Sequence, residues 1–337
     1  MQTFKTAKRN PRLIADRFFG LIKGDLALVE EEFEHQANSN IQVIKYLGDY
    51  LRASGGKRVR PSLLLLANKT VGGDASDESV IRLATVMEML HTATLVHDDI
   101  IDNADTRRNQ TSINSRFGNQ TAVLMGDWLY MSAFETSLKE RSLAILDILT
   151  ELTRKMTEGE LIQLTMLGRT DISETNYFDI LQRKTAYLFS ACSEIGAILG
   201  NASQEEQQAL RNYGINLGTA FQLADDLFDF TSKKEVIGKA AGTDLIEGKV
   251  TLPLILLVES DPSYIKMLET IMFDGDYKGS AREDLLAGLE SSGALEKTKE
   301  IAHDFAGKAR KNLELFPKTE YRLALEEIPT FMIERSK

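Results

Sequence analysis

Two stretches of this sequence carry three aspartates in the same pattern, Asp98-Asp99-Ile100-Ile101-Asp102 and Asp225-Asp226-Leu227-Phe228-Asp229. On a helix, residues four apart share a face, so Asp98 projects with Asp102, and Asp99 stands at the flank. Like charges at that spacing repel, and at a helix C-terminus the macrodipole disfavours them further. A bound divalent cation offsets that cost. An all-oxygen donor set of this kind suits Mg²⁺, which keeps several waters and bridges to substrate phosphates. One such cluster reads equally as a solvated acidic face. Two, each in an apolar helical segment, point to metal. The EF-hand is no rival, because its Asp spacing and central Gly are absent.

Cations stand at intervals that suit phosphate. Gly55-Gly56-Lys57-Arg58-Val59-Arg60-Pro61 packs three of them behind two glycines, just before a helical segment. Glycines let backbone N–H groups approach an oxyanion, and Arg forks grip phosphate oxygens in pairs. The spacing is not that of a P-loop. Arg107 and Arg108 follow the first Asp cluster by one short turn. Lys184-Thr185 interrupts a helix that turns apolar, and Lys239 and Lys249 lie in the Gly-rich loop after the second cluster. Gln222 precedes Asp225 and Asp226 on the same helical face. Each basic element alone reads as a charged loop. Together with two acid-held metal positions they describe a cavity with cations enough for two diphosphates.

The elements that position these groups read as helices almost throughout. Ile81, Ala84, Met87, Met89, Leu90 and Leu95 fall on one broad face, as do Leu143, Leu146, Leu149, Leu152 and Met156. Six prolines in 337 residues leave room for long helices, and no alternating strands bounded by hairpin turns are visible. Ser76, Ser173 and Ser203 are expected caps. The expectation is an all-α chain, residues 1–337 forming a single domain of roughly ten or more helices.

The formal charge of −10 argues against nucleic acid as a partner, which needs a net basic face. Cys192 is the single cysteine, so an internal disulfide and a Cys-based metal site are excluded. Residues 1–12 are polar and basic, without the apolar stretch of a secretory signal, and the longest apolar runs are too short to span a bilayer. The expected location is the cytoplasm.

With these residues in hand, the sequence resembles the trans-isoprenyl diphosphate synthases, from about Gly55 to Pro253. The resemblance rests on the Gly55–Pro61 motif, on His-Thr-Ala-Thr-Leu-Val-His-Asp-Asp-Ile-Ile-Asp with its Arg pair, and on Lys184-Thr185. It continues through Phe-Gln-Leu-Ala-Asp-Asp-Leu-Phe-Asp and Gly-Lys-x-x-Gly-Thr-Asp-Leu-x-x-Gly-Lys-x-Thr-Leu-Pro. It implies an isoprenoid-synthase type helical bundle, usually a homodimer, with a central cavity between the two Asp-rich helices. Asp98, Asp102 and Asp225 would ligate Mg²⁺, more than one ion per site, with Asp99, Asp226 and Asp229 supporting. Lys57, Arg60, His91 and Arg108 would hold isopentenyl diphosphate. Arg107, Lys184, Thr185, Gln222 and Lys239 would hold the allylic diphosphate, with Lys249 nearby. Asn109 departs from the family's usual Gly, and Ala224 and Phe230 from larger aliphatic and Tyr residues, but none of these removes a charge.

The implied reaction is ionisation of the allylic diphosphate (farnesyl or geranylgeranyl), condensation with isopentenyl diphosphate, and elimination. In short-chain members, bulky aromatics just upstream of the first Asp cluster close the tunnel. Here Ala93 and Thr94 are small, which implies a product of C30 to C50; Met89, Val86, Met125, Trp128 and Met131 read equally as a deeper floor or as plain core. The alternatives are a geranylgeranyl (C20) synthase and a non-catalytic subunit of a heteromeric synthase. An HD-type phosphohydrolase, prompted by His97-Asp98, lacks further His ligands, and a terpene cyclase would not need the Lys57–Arg60 set. Membrane contact is expected to be peripheral at most, for product delivery.

Overall fold

The computed structural model describes residues 17–37, 40–53, 55–107, 110–231 and 242–334, so Arg108, Asn109 and Lys239 lie outside the described residues. The architecture is all-α, as the 3.6-residue period requires. The one addition among the described residues is a two-residue antiparallel ribbon, Thr106–Arg107 against Gln110–Thr111, too short to show a period of two in sequence.

The helix carrying the first Asp cluster runs Glu78–Ile101. Its cap is Asp77, which accepts from the Ser79 N–H, while the expected cap Ser76 instead donates its hydroxyl to Asp74. The helix ends at Asp102, and Asn103 takes a left-handed conformation (φ 49°) that turns the chain into the ribbon. Glu78–Ile101 is long and apolar enough to cross a membrane by composition, yet 72% of its apolar window is buried in the protein. It is a core helix.

The second Asp helix, Gln204–Thr231, opens on a reciprocal cap: Ser203 Oγ accepts from the Glu206 N–H and Glu206 accepts from the Ser203 N–H. Two hydrophobic clusters make up the interior, and this helix contributes to both. Leu210, Tyr213 and Leu217 lie in the first, and Ala220, Leu223, Ala224 and Phe230 in the second. Helix Tyr187–Leu199 packs against it closely because of two glycines. A Cβ at Gly214 would lie 2.5 Å from the Phe189 carbonyl oxygen, and one at Gly218 would lie 2.6 Å from Ala186 Cα. That approach sets Lys184 and Thr185 beside Gln222 and the second Asp cluster.

Candidate active site

Both Asp helices line one cavity of about 400 Å³. Its carboxylates are Asp98, Asp225, Asp226 and Asp244, and its cations are Arg60, Arg107, Lys184 and Lys249. Thr94, Met156, Leu188 and Phe221 line it too. Each lies three or four residues, about one helical turn, from a polar liner or neighbour on its own helix (Asp98, Glu160, Lys184, Asp225). Apolar liners thus stand within one helical turn of the charged ones.

The aspartates have separate jobs. Burial pushes the Asp98 carboxyl up to about 6, Lys184 opposing the shift and Glu160 and Asp102 adding to it. Asp99 is buried and turned aside, accepting from Arg107 Nε at 2.6 Å. Asp102 is exposed and sits 3.0 Å from Lys249 Nζ, which also meets Glu247 at 2.8 Å. Asp226 accepts from the Tyr177 hydroxyl at 2.5 Å and from Gln222 Nε2 at 3.0 Å. Burial pushes its carboxyl up to about 6 despite both donors. Asp229 accepts the backbone N–H groups of Thr243 and Asp244, at 3.1 and 3.2 Å. It anchors the turn that carries Asp244 into the cavity. Burial, with Asp229 and Asp226 close by, pushes the Asp244 carboxyl well above the ordinary range.

The Lys184-Thr185 interruption is a π-helical turn, Gln182–Ala186, a distortion that recurs at functional sites. Gly159 makes room for it, since a Cβ there would meet Arg183 Cβ at 2.6 Å. Lys184 Nζ pairs with Glu160 at 2.5 Å and donates to Gln163 at 3.1 Å. Thr185 donates to Gln222 Oε1 at 2.9 Å, so a polar chain runs Thr185, Gln222, Asp226, Tyr177. His91 is buried at the cavity wall, and Arg60 lies 5.1 Å from the Phe189 ring centroid. Lys57 is exposed outside the residues that line the cavity.

Of the seven residues considered for setting product length, Thr94 lines the cavity and the other six do not. Ala93 and Met89 are fully buried in the main core, and Trp128 packs partly buried against it. Neighbours on a helix are rotated by about 100°, so Thr94 and Ala93 face different ways. Val86 and Met125 are core as well, and Met131 is 63% exposed. Met156, Leu188 and Phe221 line the cavity without having been assigned to it from sequence, where Met156 was read as part of an apolar helix face. Tyr177 and Asp244 were also missed, although Asp244 stands within the quoted Gly-Thr-Asp motif.

The donor set fits a hard divalent cation. Asp226 is buried, Asp98, Asp225 and Asp244 are half-buried, and the four share one cavity, yet among the described residues no group of three His, Cys, Asp or Glu is placed to hold an ion alone. Mg²⁺ suits that arrangement, since it takes one or two carboxylates and completes its shell from water and substrate phosphates. A pH test follows. Asp98 and Asp226 have raised folded pKa values, so without a cation their ionisation weakens the fold as pH rises from about 4 to about 6. Mg²⁺ favours the ionised forms. The rise in Tm on adding Mg²⁺ should therefore grow between about pH 5 and about pH 7. A rise that is constant with pH would separate the cation from these carboxylates.

The polyprenyl synthetase family model matches residues 41–286. The chain is 38% identical over 314 residues to octaprenyl diphosphate synthase of Escherichia coli K12, covering 93% of this chain and 96% of that one. It is 35% identical over 292 residues to the short chain isoprenyl diphosphate synthase of Methanothermobacter thermautotrophicus, covering 85% and 89%. Among solved structures, it superposes with a TM-score of 0.89 and 37% identity on polyprenyl synthase from Caulobacter crescentus CB15 complexed with calcium and isoprenyl diphosphate. That match covers 95% of this chain and 98% of the other.

Proposed function

The chain belongs to the polyprenyl synthetase family, and on that premise we propose that it condenses isopentenyl diphosphate with an allylic diphosphate, farnesyl or geranylgeranyl, repeatedly. The product is a long-chain polyprenyl diphosphate of C30 to C50. One observation carries this reading: four carboxylates, including Asp98 and Asp225 from the two Asp helices, and four cations line one cavity together with apolar side chains such as Leu95, Met156, Leu188 and Phe221. A diphosphate head needs the first part and a growing prenyl tail needs the second.

A divalent metal, Mg²⁺ by its donor set, supplies Lewis-acid charge to the departing diphosphate when held by Asp98, Asp102 and Asp225. Arg107, Lys184 and Lys239, together with Lys249, bind the allylic diphosphate and spread the charge that develops as its C–O bond breaks. Thr185 and Gln222 orient it through the chain that ends at Asp226 and Tyr177. Lys57, Arg60, His91 and Arg108 hold isopentenyl diphosphate so that its double bond meets the allylic carbon. Apolar walls exclude water from the allylic cation. After the C–C bond forms, the proton lost from the new chain goes to the released diphosphate.

The test is stoichiometry. Each isopentenyl diphosphate consumed should release one inorganic diphosphate, only with an allylic primer and a divalent cation present. Release without an allylic primer would mean hydrolysis. Tyr177→Phe leaves Asp226 with one donor fewer. It should lower kcat/KM roughly tenfold, about 1–2 kcal/mol, with the fold intact. Steady-state kinetics beside a thermal melt check this.

The reading takes the chain as a single unit in the cytoplasm, touching membrane only peripherally. Its partner is a second copy. Val123, Leu124 and Met131 are exposed on helix Asn119–Ser137, and Leu138 and Leu143 follow on the next turns at 47% and 76% exposure. These exposed apolar side chains, interrupted by Asp127 and Glu135, mark a candidate interaction site. Leu124→Glu with Met131→Glu should convert a dimer to monomers in light scattering; a dimer that persists would place the interface elsewhere.

A further inference from the structure

The sequence motif offers three cations in four residues, Lys57, Arg58 and Arg60, and the structure withdraws the middle one. Arg58 is held on two sides. Its Nη2 donates to Glu30 Oε2 at 2.9 Å while its Nε donates to Glu30 Oε1, a bidentate grip. Its Nη1 donates to Glu88 Oε1 at 2.7 Å. The guanidinium carbon also lies 5.9 Å from the Phe33 ring centroid. Glu30 and Phe33 belong to helix Lys23–Ala37, which precedes the residues that the family model matches. Glu88 stands on the first Asp helix, one turn before His91, and is buried. With two carboxylates around it, this guanidinium has no charge to spare for a phosphate.

The backbone at Arg58 is equally specific. Its φ is 48° and its ψ 36°, the left-handed region that a residue with a Cβ enters only when its surroundings hold it there. That conformation ends the Gly55–Lys57 loop and starts helix Val59–Thr70. The Arg58 carbonyl accepts from the Ser62 N–H at 3.0 Å and from Ser62 Oγ at 2.7 Å. Lys57, on the loop side, is exposed, and Arg60, on the helix side, lines the cavity.

We propose that Arg58 is a positioning residue, which, clamped by Glu30 and Glu88, fixes the left-handed turn that sets Lys57 and Arg60 for the isopentenyl diphosphate. The helix Lys23–Ala37 is thereby part of the acceptor site without touching substrate. This rests on the function proposed above and adds to it a separate requirement for one of the two substrates.

Arg58→Ala would leave Glu88 buried and uncompensated, so the informative variants are gentler. Glu30→Gln removes the charge of the outer clamp. Arg58→Lys keeps a cation beside Glu88 but cannot grip Glu30 with two parallel bonds. Each should raise the KM for isopentenyl diphosphate about tenfold or more, with the KM for farnesyl diphosphate within about twofold of the parent. The double variant should be no worse than either single one, because both remove the same interaction. Unchanged KM for isopentenyl diphosphate, or equal changes for both substrates tracking a fall in Tm, would reduce the clamp to a stabilising ion pair and overturn the proposal. A parent protein that condenses nothing would fail earlier, on the proposed function itself.

Discussion

Asp98→Asn should lower condensation about a thousandfold, roughly 4 kcal/mol in the barrier, while the metal-free protein melts no earlier than the parent. The two halves of that result have one cause. Asp98 is a buried carboxyl whose pKa is pushed up to about 6 because desolvation outweighs the pull of Lys184. At neutral pH without a cation it is ionised at a cost of about 1–3 kcal/mol. Asparagine has the same shape and no charge, so it relieves that cost. For a chain of 337 residues the gain is roughly 1–2 °C per kcal/mol. It also removes the anionic oxygen that would hold metal against the departing diphosphate. A residue that mattered only for packing would lose stability on replacement and keep activity. Activity assays and melts on the one variant separate the two cases, and an early-melting variant with near-parent turnover would contradict the role.

Thr94→Phe should cut the product from the C30 to C50 range to C20 or shorter, with the first condensation kept within about tenfold. Thr94 lines the cavity one turn above Asp98, so an aromatic ring there fills the space that a tail would enter. Ala93→Phe should behave differently. Ala93 is fully buried in the main core, so the ring has no cavity to enter and costs about 1–3 kcal/mol of stability. Chromatography of the products against prenyl standards reads both variants. Shortening by Ala93→Phe and not by Thr94→Phe would mean that the tail runs along the Ala93 face and not past Thr94, Met156 and Leu188.

The contrast between those neighbours shows how far sequence reached. The all-α fold was legible because a 3.6-residue period persists along nearly every segment, and the Asp clusters were legible because their spacing repeats. Lys184-Thr185 stood out as a break in a helix, and the π-helical turn is its physical form. What sequence could not supply was rotation and long-range partners. Asp99 belongs to the motif, but the ribbon brings Arg107 back across it and takes it out of the cavity. Asp229 lies four residues past Asp225, yet it spends its oxygens on the N–H groups of Thr243 and Asp244. Tyr177 carries no local signal at all, since its partner Asp226 lies 49 residues away. Arg58 looked like a third phosphate ligand until Glu30 and Glu88 were seen to claim it. Arg108 and Lys239, to which the proposed mechanism gives diphosphate contacts, lie outside the described residues.

The most direct measurement is product analysis after incubating the purified protein with farnesyl diphosphate, labelled isopentenyl diphosphate and Mg²⁺, with a parallel sample in EDTA. The expected result is a ladder ending in chains of C30 or longer, with no product in EDTA. Chains that stop at C20 would keep the chemistry and contradict the open cavity past Thr94. No condensation with farnesyl, geranyl or geranylgeranyl diphosphate would contradict the proposed function and leave a non-catalytic partner of another synthase in its place.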